Sequence, residues 1–253
     1  MTNRRIITTG LAETKKGLHI GFEKMAEITE IIREIVAKID ISIIGTYNPT
    51  TQKTEYCGTK WARKGKTVLD EVGNVYLIDQ FEPGESLTVT QQNQPLTPLE
   101  GVTFLNSPYF QTGTKLAANM EWTKSKNLVI EKTPLIWLFE IIDEGKKGRG
   151  DSREFETNFR IFFLDETDPA QYLTEDNRRE IVEPMANLAE SFLDVIRADR
   201  TFKRLDDYNI KSFSRFGVET EQGVVQNILD ANLSGVELRF TLTKYKNKIC
   251  AKC

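Results

Sequence analysis

The strongest constraint on the fold of this chain is an alternation in residues 155–163. Phe155, Thr157, Phe159, Ile161 and Phe163 take one parity and Glu156, Asn158 and Arg160 the other. A side-chain period of two with one apolar face belongs to a β-strand covered on one side. A second run has the same form, with Val236, Leu238, Phe240 and Leu242 alternating with Glu237, Arg239, Thr241 and Thr243. Upstream, Ile130 to Ile142 is a nearly continuous apolar run around Pro134-Leu135-Ile136-Trp137-Leu138-Phe139. A helix lies between the strands. Thr174 is its N-cap, and Glu175 and Asp176 occupy the first turn, where negative charge complements the helix dipole. Pro184 predicts a bend or a division, after which Met185, Leu188, Ala189, Phe192 and Ile196 continue one apolar face to about Arg200. Tyr208 to Val218 reads as a further strand and Val225 to Leu229 as a short helical turn. Residues 131–246 therefore form a strand-strand-helix-strand-strand unit, a sheet buried under a helix with edges and loops left for partners.

The N-terminal half has a different texture. Residues 1–17 are polar and irregular, the pattern of an arm. From Leu18 to Ile39, Met25, Ile28, Ile32, Ile35 and Ile39 recur at steps of three and four, broadened by Ile31 and Val36. This is an amphipathic helix packed on a sheet, with Glu30–Arg33 and Glu34–Lys38 as supporting pairs on its polar side. Short β runs follow at Ile41–Tyr47, Thr54–Cys57, Thr67–Leu69, Asn74–Phe81 and Ser86–Thr90, separated by turns at Asn48-Pro49, Gly73-Asn74 and Pro83-Gly84. They predict a small β-barrel or β-sandwich. Residues 91–101 read as a polar connector and Ser107 to Lys126 as loop with one turn of helix. The loop Asp143 to Ser152 combines three glycines with Lys146, Lys147 and Arg149, so it is expected to be flexible, exposed and basic.

Composition narrows the classes of function. With 253 residues the chain can bury a core without disulfide staples. Lys plus Arg number 34 against 37 Asp plus Glu, a net charge of -3 that argues against gripping nucleic acid along the whole surface. Three cysteines, Cys57, Cys250 and Cys253, leave one unpaired in any disulfide scheme, which fits a reducing compartment. No apolar run approaches the ~20 residues of a membrane span, and Met1-Thr2-Asn3-Arg4-Arg5 is followed by no signal-peptide core. A cytoplasmic product that uses no membrane is expected.

Few constellations offer chemistry. The single histidine, His19, sits at the mouth of the first helix and reads as a surface or cap residue. Cys250-Ala251-Lys252-Cys253 has the spacing of half a zinc site but lacks the partners of a full one, and reads as a tail with two thiols. Gly65-Lys66-Thr67 resembles the end of a phosphate-binding loop, yet Lys60 stands where that loop needs glycine. Lys60, Trp61, Arg63, Lys64 and Lys66 instead read as a basic loop with an exposed aromatic, suited to an acidic neighbouring subunit or a phosphate backbone. Asp165-Glu166-Thr167-Asp168-Pro169 reads as a strand-to-helix turn with exposed acids. Arg149-Gly150-Asp151 is a chance tripeptide in the glycine-rich loop. No catalytic, cofactor or metal-ligand set is assigned.

Several of these segments together resemble a known family. Lys132-Thr133-Pro134-Leu135-Ile136-Trp137-Leu138-Phe139-Glu140, Arg160-Ile161-Phe162-Phe163-Leu164-Asp165, Pro184-Met185-Ala186-Asn187-Leu188-Ala189 and Gly235-Val236-Glu237-Leu238-Arg239-Phe240 are similar in order and flavour to head-to-tail connector proteins of tailed bacteriophages. The nearest type is the tail-completion or tail-terminator protein, including versions from crAss-like and other phages of Bacteroides-type hosts. The resemblance covers residues 18–39 and 128–246. It implies an α+β fold, an antiparallel sheet flanked by helices in a tail-terminator-like domain, with residues 40–105 as an inserted β-barrel or β-sandwich domain. Residues 106–127 are then a connector and 247–253 a C-terminal tail.

The expected function is that of a virion structural protein of the neck or tail, not an enzyme. It would form a homo-oligomeric ring at the head-to-tail junction, with copies of itself and adjacent portal, neck or tail proteins as partners and DNA in the ring lumen. No small-molecule substrate is expected. The contact residues are Lys60, Trp61, Arg63, Lys64, Lys66, Lys146, Lys147 and Arg149. The alternative is a nucleic-acid-binding module whose β-rich domain offers Trp61, Tyr56 and nearby lysines for stacking and phosphate contact. A metal-dependent hydrolase using Asp165, Glu166 and Asp168 ranks last, because no second ligand cluster accompanies them.

Overall fold

A computed structural model describes residues 28–48, 50, 53–58, 61–82, 86–91, 94–95, 101–104, 106–125, 128–139, 143–147, 154–171, 174–200, 202, 205, 207–219 and 225–244. Two mostly antiparallel sheets and a few helices make an α+β fold. The N-terminal arm, His19, and the tail with Cys250 and Cys253 lie outside the described residues. No helix among the described residues is long and apolar enough to cross a membrane.

Helix α1 (28–37) buries Ile32, Ile35 and Val36, with Ile39 just beyond its end. This is the stripe its three-and-four spacing dictates. Arg33 pairs with Glu30 on the polar side, while Lys38 reaches Asp199 at 3.9 Å rather than Glu34. The first sheet follows with β1 (Ser42–Asn48), β2 (Lys53–Gly58), β3 (Thr67–Leu69), β4 (Val75–Glu82), β5 (Ser86–Gln91), β6 (Gln94–Pro95) and β7 (Gly101–Phe104). Its order is β2-β1-β7-β3-β4-β5-β6, and β2 also pairs with β5 through Thr54↔Leu87 and Glu55↔Ser86. The expected barrel or sandwich is thus one curled sheet. The β3–β4 turn is organised by Asp70, whose Oδ1 accepts from the amides of Val72 (2.9 Å) and Asn74 (2.8 Å), while Gly73 supplies a φ of 94°. The connector expected over 91–101 contains β6 and the start of β7. Among the described side chains of β7, Val102 and Phe104 are buried, too few to register as alternation.

The segment expected as loop over 107–126 is strand β8 (Tyr109–Gly113) and helix α2 (Lys115–Lys124). The helix escaped its sequence signal because only Ala118 and Trp122 are buried on it, whereas Leu116 and Met120 face outward. Two apolar pairs on different faces blur the period. Thr114 Oγ1 accepts from the Ala117 amide at 3.3 Å, and buried Lys132 donates to the last carbonyls, Trp122 O at 2.8 Å and Ser125 O at 3.1 Å.

The second sheet comprises β8, β9 (Leu135–Phe139), β10 (Asp143–Lys147), β11 (Glu154–Glu166), β12 (Tyr208–Phe213) and β15 (Leu233–Lys244), ordered β12-β15-β11-β9-β8 with β10 paired to β11. Among the described residues of this sheet, the β8–β9 pair alone is parallel. The loop expected to be flexible at 143–152 is corrected over its first half, because Asp143 to Lys147 pair in register with Asn158 to Glu154. Strands β13 (Val218–Glu219) and β14 (Val225–Gln226) pair with each other, where a helical turn was expected from Val225.

The helix over the second sheet starts as α3 (Glu175–Asn177), with Thr174 Oγ1 accepting from the Asn177 amide at 3.2 Å. It continues as a π-wound turn (Arg178–Val182) into α4 (Glu183–Ala198). Pro184 has no N–H for the α register, and just before it the Glu183 amide bonds back to Arg178 O, five residues away. Inward-facing Phe159, Ile161 and Phe163 of β11 pack with Leu238 and Phe240 under Met185, Leu188, Phe192 and Ile196 of α4. The opposite parity, Phe162 and Leu164, packs with Trp137, Trp122 and Phe216. The middle of this sheet is therefore covered on both faces, which corrects the single covered face expected of this strand. The larger core runs without a break from Ile32 of α1 through Trp61, Ile78 and Phe104 to Ile136, Phe163 and Phe192.

Where β15 starts against β11, Gly235 has φ 154°, and a Cβ there would lie 2.0 Å from the Phe163 carbonyl oxygen. Gly235→Ala is expected to cost about 1–3 kcal/mol for the backbone conformation, with the clash added on top. Urea denaturation measures it, and a loss below about 0.5 kcal/mol, the range of neutral surface changes, contradicts the close approach.

Candidate functional site

Most of the described residues of the basic loop between β2 and β3 turn away from solvent, with Lys64 the exposed one. Trp61 is 1% exposed and stacks on Phe104 with ring centroids 4.2 Å apart, so the expectation of an exposed aromatic is corrected. The ring area favours the apolar core, although Nε1 finds no hydrogen-bond partner there among the described residues. The Gly65 amide bonds to Ile78 O at 2.8 Å and the Ile78 amide to Lys66 O at 2.9 Å, which clamps the loop to β4.

From this clamp two cations reach across to the second sheet. Arg63 forms a two-pronged pair with Asp165, Nε to Oδ2 at 2.6 Å and a terminal nitrogen to Oδ1 at 2.8 Å. Lys66 Nζ donates to Asp165 Oδ1 at 3.1 Å, to the Thr133 carbonyl at 2.8 Å and to Thr133 Oγ1 at 3.2 Å. Asp165 is 0% exposed, which corrects its place among exposed acids; Glu166 and Asp168 are exposed as expected. Asp168 Oδ1 caps the following turn through the Ala170 amide at 2.9 Å. A neutral cluster lies next to this bridge. Thr167 Oγ1 donates to Asn177 Oδ1 at 2.5 Å, and Asn177 Nδ2 donates to Ser214 O and Ser234 Oγ at 3.3 and 3.4 Å, tying the helix start to the end of the sheet.

The ionisation of the bridge follows from burial and pairing. Burial works to raise the Asp165 carboxyl, but Arg63 and then Lys66 outweigh it and hold the group well below the usual carboxylate range. Burial likewise opposes the charge on Arg63, and Asp165 reverses that effect, raising its pKa. For Lys66, burial dominates and brings the ammonium down from 10.5 to about 8, with Asp165 opposing the drop and Arg63 adding to it.

Beside the bridge opens a cleft of about 430 Å³ bordered by Arg63, Lys64, Glu166, Asp168 and Glu180. Lys66 is not on its wall. Its nitrogen is enclosed by Thr133 and Asp165, so the geometry makes it a structural cation and not a nucleophile presented to a ligand. Among the described residues no group of three or more His, Cys, Asp or Glu side chains is placed to hold a metal ion.

The structure thus brings Arg63 and Lys66 together in the core and leaves Lys64 exposed on the cleft. Lys60 and Arg149 lie outside the described residues. Lys146 and Lys147 lie on β10 opposite Phe155 and Glu154, at the other end of β11 from Asp165. At 3.3 Å per residue, the seven steps from Asn158 to Asp165 separate the β10 hairpin from the bridge by about 23 Å. The two basic loops are therefore different surfaces. The role of Asp165 was missed although a signal existed: it continues the inward series Phe159, Ile161, Phe163, and a carboxylate at an inward position requires a cation. No family model matches the chain, and no curated protein matches it.

Asp165→Asn leaves two cations without their counter-charge and is expected to cost about 3–5 kcal/mol, whereas removing all three charges with Arg63→Met, Lys66→Met and Asp165→Leu costs less than the single change. Urea denaturation of both variants checks this; a single-variant loss below about 1 kcal/mol, as for a surface pair, contradicts it. A second expectation concerns pH. Between pH 8 and 10.5 the unfolded chain holds the Lys66 proton that the folded chain has released, so stability relative to Lys66→Met rises with pH across that window. A flat or falling difference between urea midpoints over the same range contradicts the lowered pKa.

Proposed function

We propose that this chain is a structural subunit of the neck or tail of a tailed bacteriophage, forming a homo-oligomeric ring at the head-to-tail junction. In this reading residues 18–39 and 128–246 are the tail-terminator-like domain, and 40–105 is an inserted β-rich domain that faces outward or docks a neighbouring protein. Copies of the chain and adjoining portal, neck or tail proteins are its partners, DNA passes through the ring lumen, and the mature location is the virion.

The observation that carries the reading is the use made of the charges. Arg63, Lys66 and Asp165 hold two sheets in one body, and what is left at the surface is suited to contact. Among the described residues β8 pairs only with β9 and β12 only with β15, so each offers an edge to a neighbour. The β3–β4 hairpin exposes Val72 at 86%, Val75 at 47% and Leu77 at 44%, apolar surface that a subunit interface would cover. A ring built from repeated copies covers such a patch once on every subunit, against a different patch of the next copy. The alternative of a nucleic-acid-stacking surface loses Trp61 to the core.

Light scattering over a concentration series, with electron microscopy of the largest species, tests the proposal. A discrete multiple of the chain mass with closed rotational symmetry is expected. A chain that stays monomeric at every concentration, and in the presence of a neck or tail extract, contradicts it.

A further inference from the structure

The face of the second sheet turned away from α4 carries another charged group, placed there by register. Asn209 of β12 pairs with Arg239 of β15, which pairs with Arg160 of β11, while Lys211 lies opposite Glu237 in the adjacent row. Glu237 is 1% exposed and accepts from the Nε of both arginines, at 2.6 Å from Arg239. Burial works to raise its carboxyl, but the bonds from Arg239 and Arg160 prevail and keep it ionised. The guanidinium of Arg160 also lies over the rings of Phe139 and Phe162, at 5.1 and 5.0 Å, which fixes its plane. Both arginines are thus anchored through Nε and remain accessible, with 36% and 58% of their side chains exposed. Among the described residues, neither donates through a terminal nitrogen to a protein acceptor. Next to them opens a shallow cavity of about 540 Å³, edged by Asn158, Asn209 and Thr241.

We propose that this face recognises the carboxylate side chains of an acidic segment of a partner protein, with Arg160 and Arg239 as its two forks and Glu237 as the positioning residue. Planar guanidinium groups whose Nε is already held are ready to take a carboxylate with the terminal pair of N–H bonds, losing little freedom in doing so. Charge selects the partner. Arg160 and Arg239 on the cavity wall and Lys211 in the adjacent row outnumber Asp207 on the wall and the buried Glu237 by one charge, which favours an acidic partner. A phosphate backbone draws its affinity from many neutralised phosphates, which this patch cannot supply. The inference does not depend on the ring, since a monomer presents the same face.

Calorimetry at low salt with a ten-residue peptide of alternating Asp and Ser tests it. Saturable binding to the full chain is expected. Arg239→Lys keeps the charge and loses the fork, and should weaken binding about tenfold or more, the loss of one charge-assisted bidentate pair. The triple variant Arg160→Gln, Glu237→Gln, Arg239→Gln leaves no buried charge unpaired, so it should keep its melting transition and lose the peptide. No peptide binding, binding unchanged in Arg239→Lys, or tighter binding of inorganic phosphate or single-stranded DNA than of the peptide would each overturn the proposal.

Discussion

A carboxylate with no exposed surface cannot be left alone in a protein interior, and the position of Asp165 at the end of β11 dictates what the first sheet must bring to it. Removing an ion of this size from water costs several kcal/mol even after the surroundings relax, and only well-aligned cations and hydrogen bonds recover the loss. Arg63 and Lys66 meet that demand from a loop that is also held by its clamp to β4 and by Trp61 against Phe104. Because both cations come from one sheet and the carboxylate from the other, the pairing sets the relative position of the two. The apolar core that runs from α1 to α4 then closes around that position.

This arrangement gives the proposed assembly role a physical footing. A subunit that transmits fit from one neighbour to the next has to keep its shape while its surfaces are engaged. Here the β10 hairpin lies at one end of β11 and the bridge with its acidic cleft at the other. Surfaces at opposite ends of a stiff element are what a head-to-tail contact between copies requires, since the same patch cannot serve both sides of a heterologous interface. The arginine pair around Glu237 adds a third surface with a chemistry of its own, selective for charge where the hairpin of Val72, Val75 and Leu77 is not.

Much of this architecture was legible in the residues wherever burial imposed a period. The alternation of β11 and β15, the stripe of α1 and the division of the long helix at Pro184 all follow from one-sided burial or from a missing N–H. What was not legible lacked such a period. Helix α2 buries only Ala118 and Trp122 while Leu116 and Met120 face out, and β7 is too short to alternate. The site failed in a more instructive way. A run of Trp, Arg and Lys reads as exposed when charge alone is counted, yet here the cations turn inward because an acid a hundred residues later occupies a core-facing position. Parity along β11 marked that acid as inward; the partner loop could not be found from parity at all. The second covered face was not read from the residues, and with it the burial of Glu237 and the arginines that flank it.

The central claim is that the bridge makes the two sheets one cooperative body, and the three tryptophans allow this to be read directly. With 5-fluorotryptophan incorporated, fluorine resonances from Trp61 in the first core region and Trp137 in the second sheet can be followed through a urea titration. Both native signals are expected to vanish at the same urea concentration. Loss of the Trp61 signal while that of Trp137 persists would show that the sheets unfold separately and would contradict it.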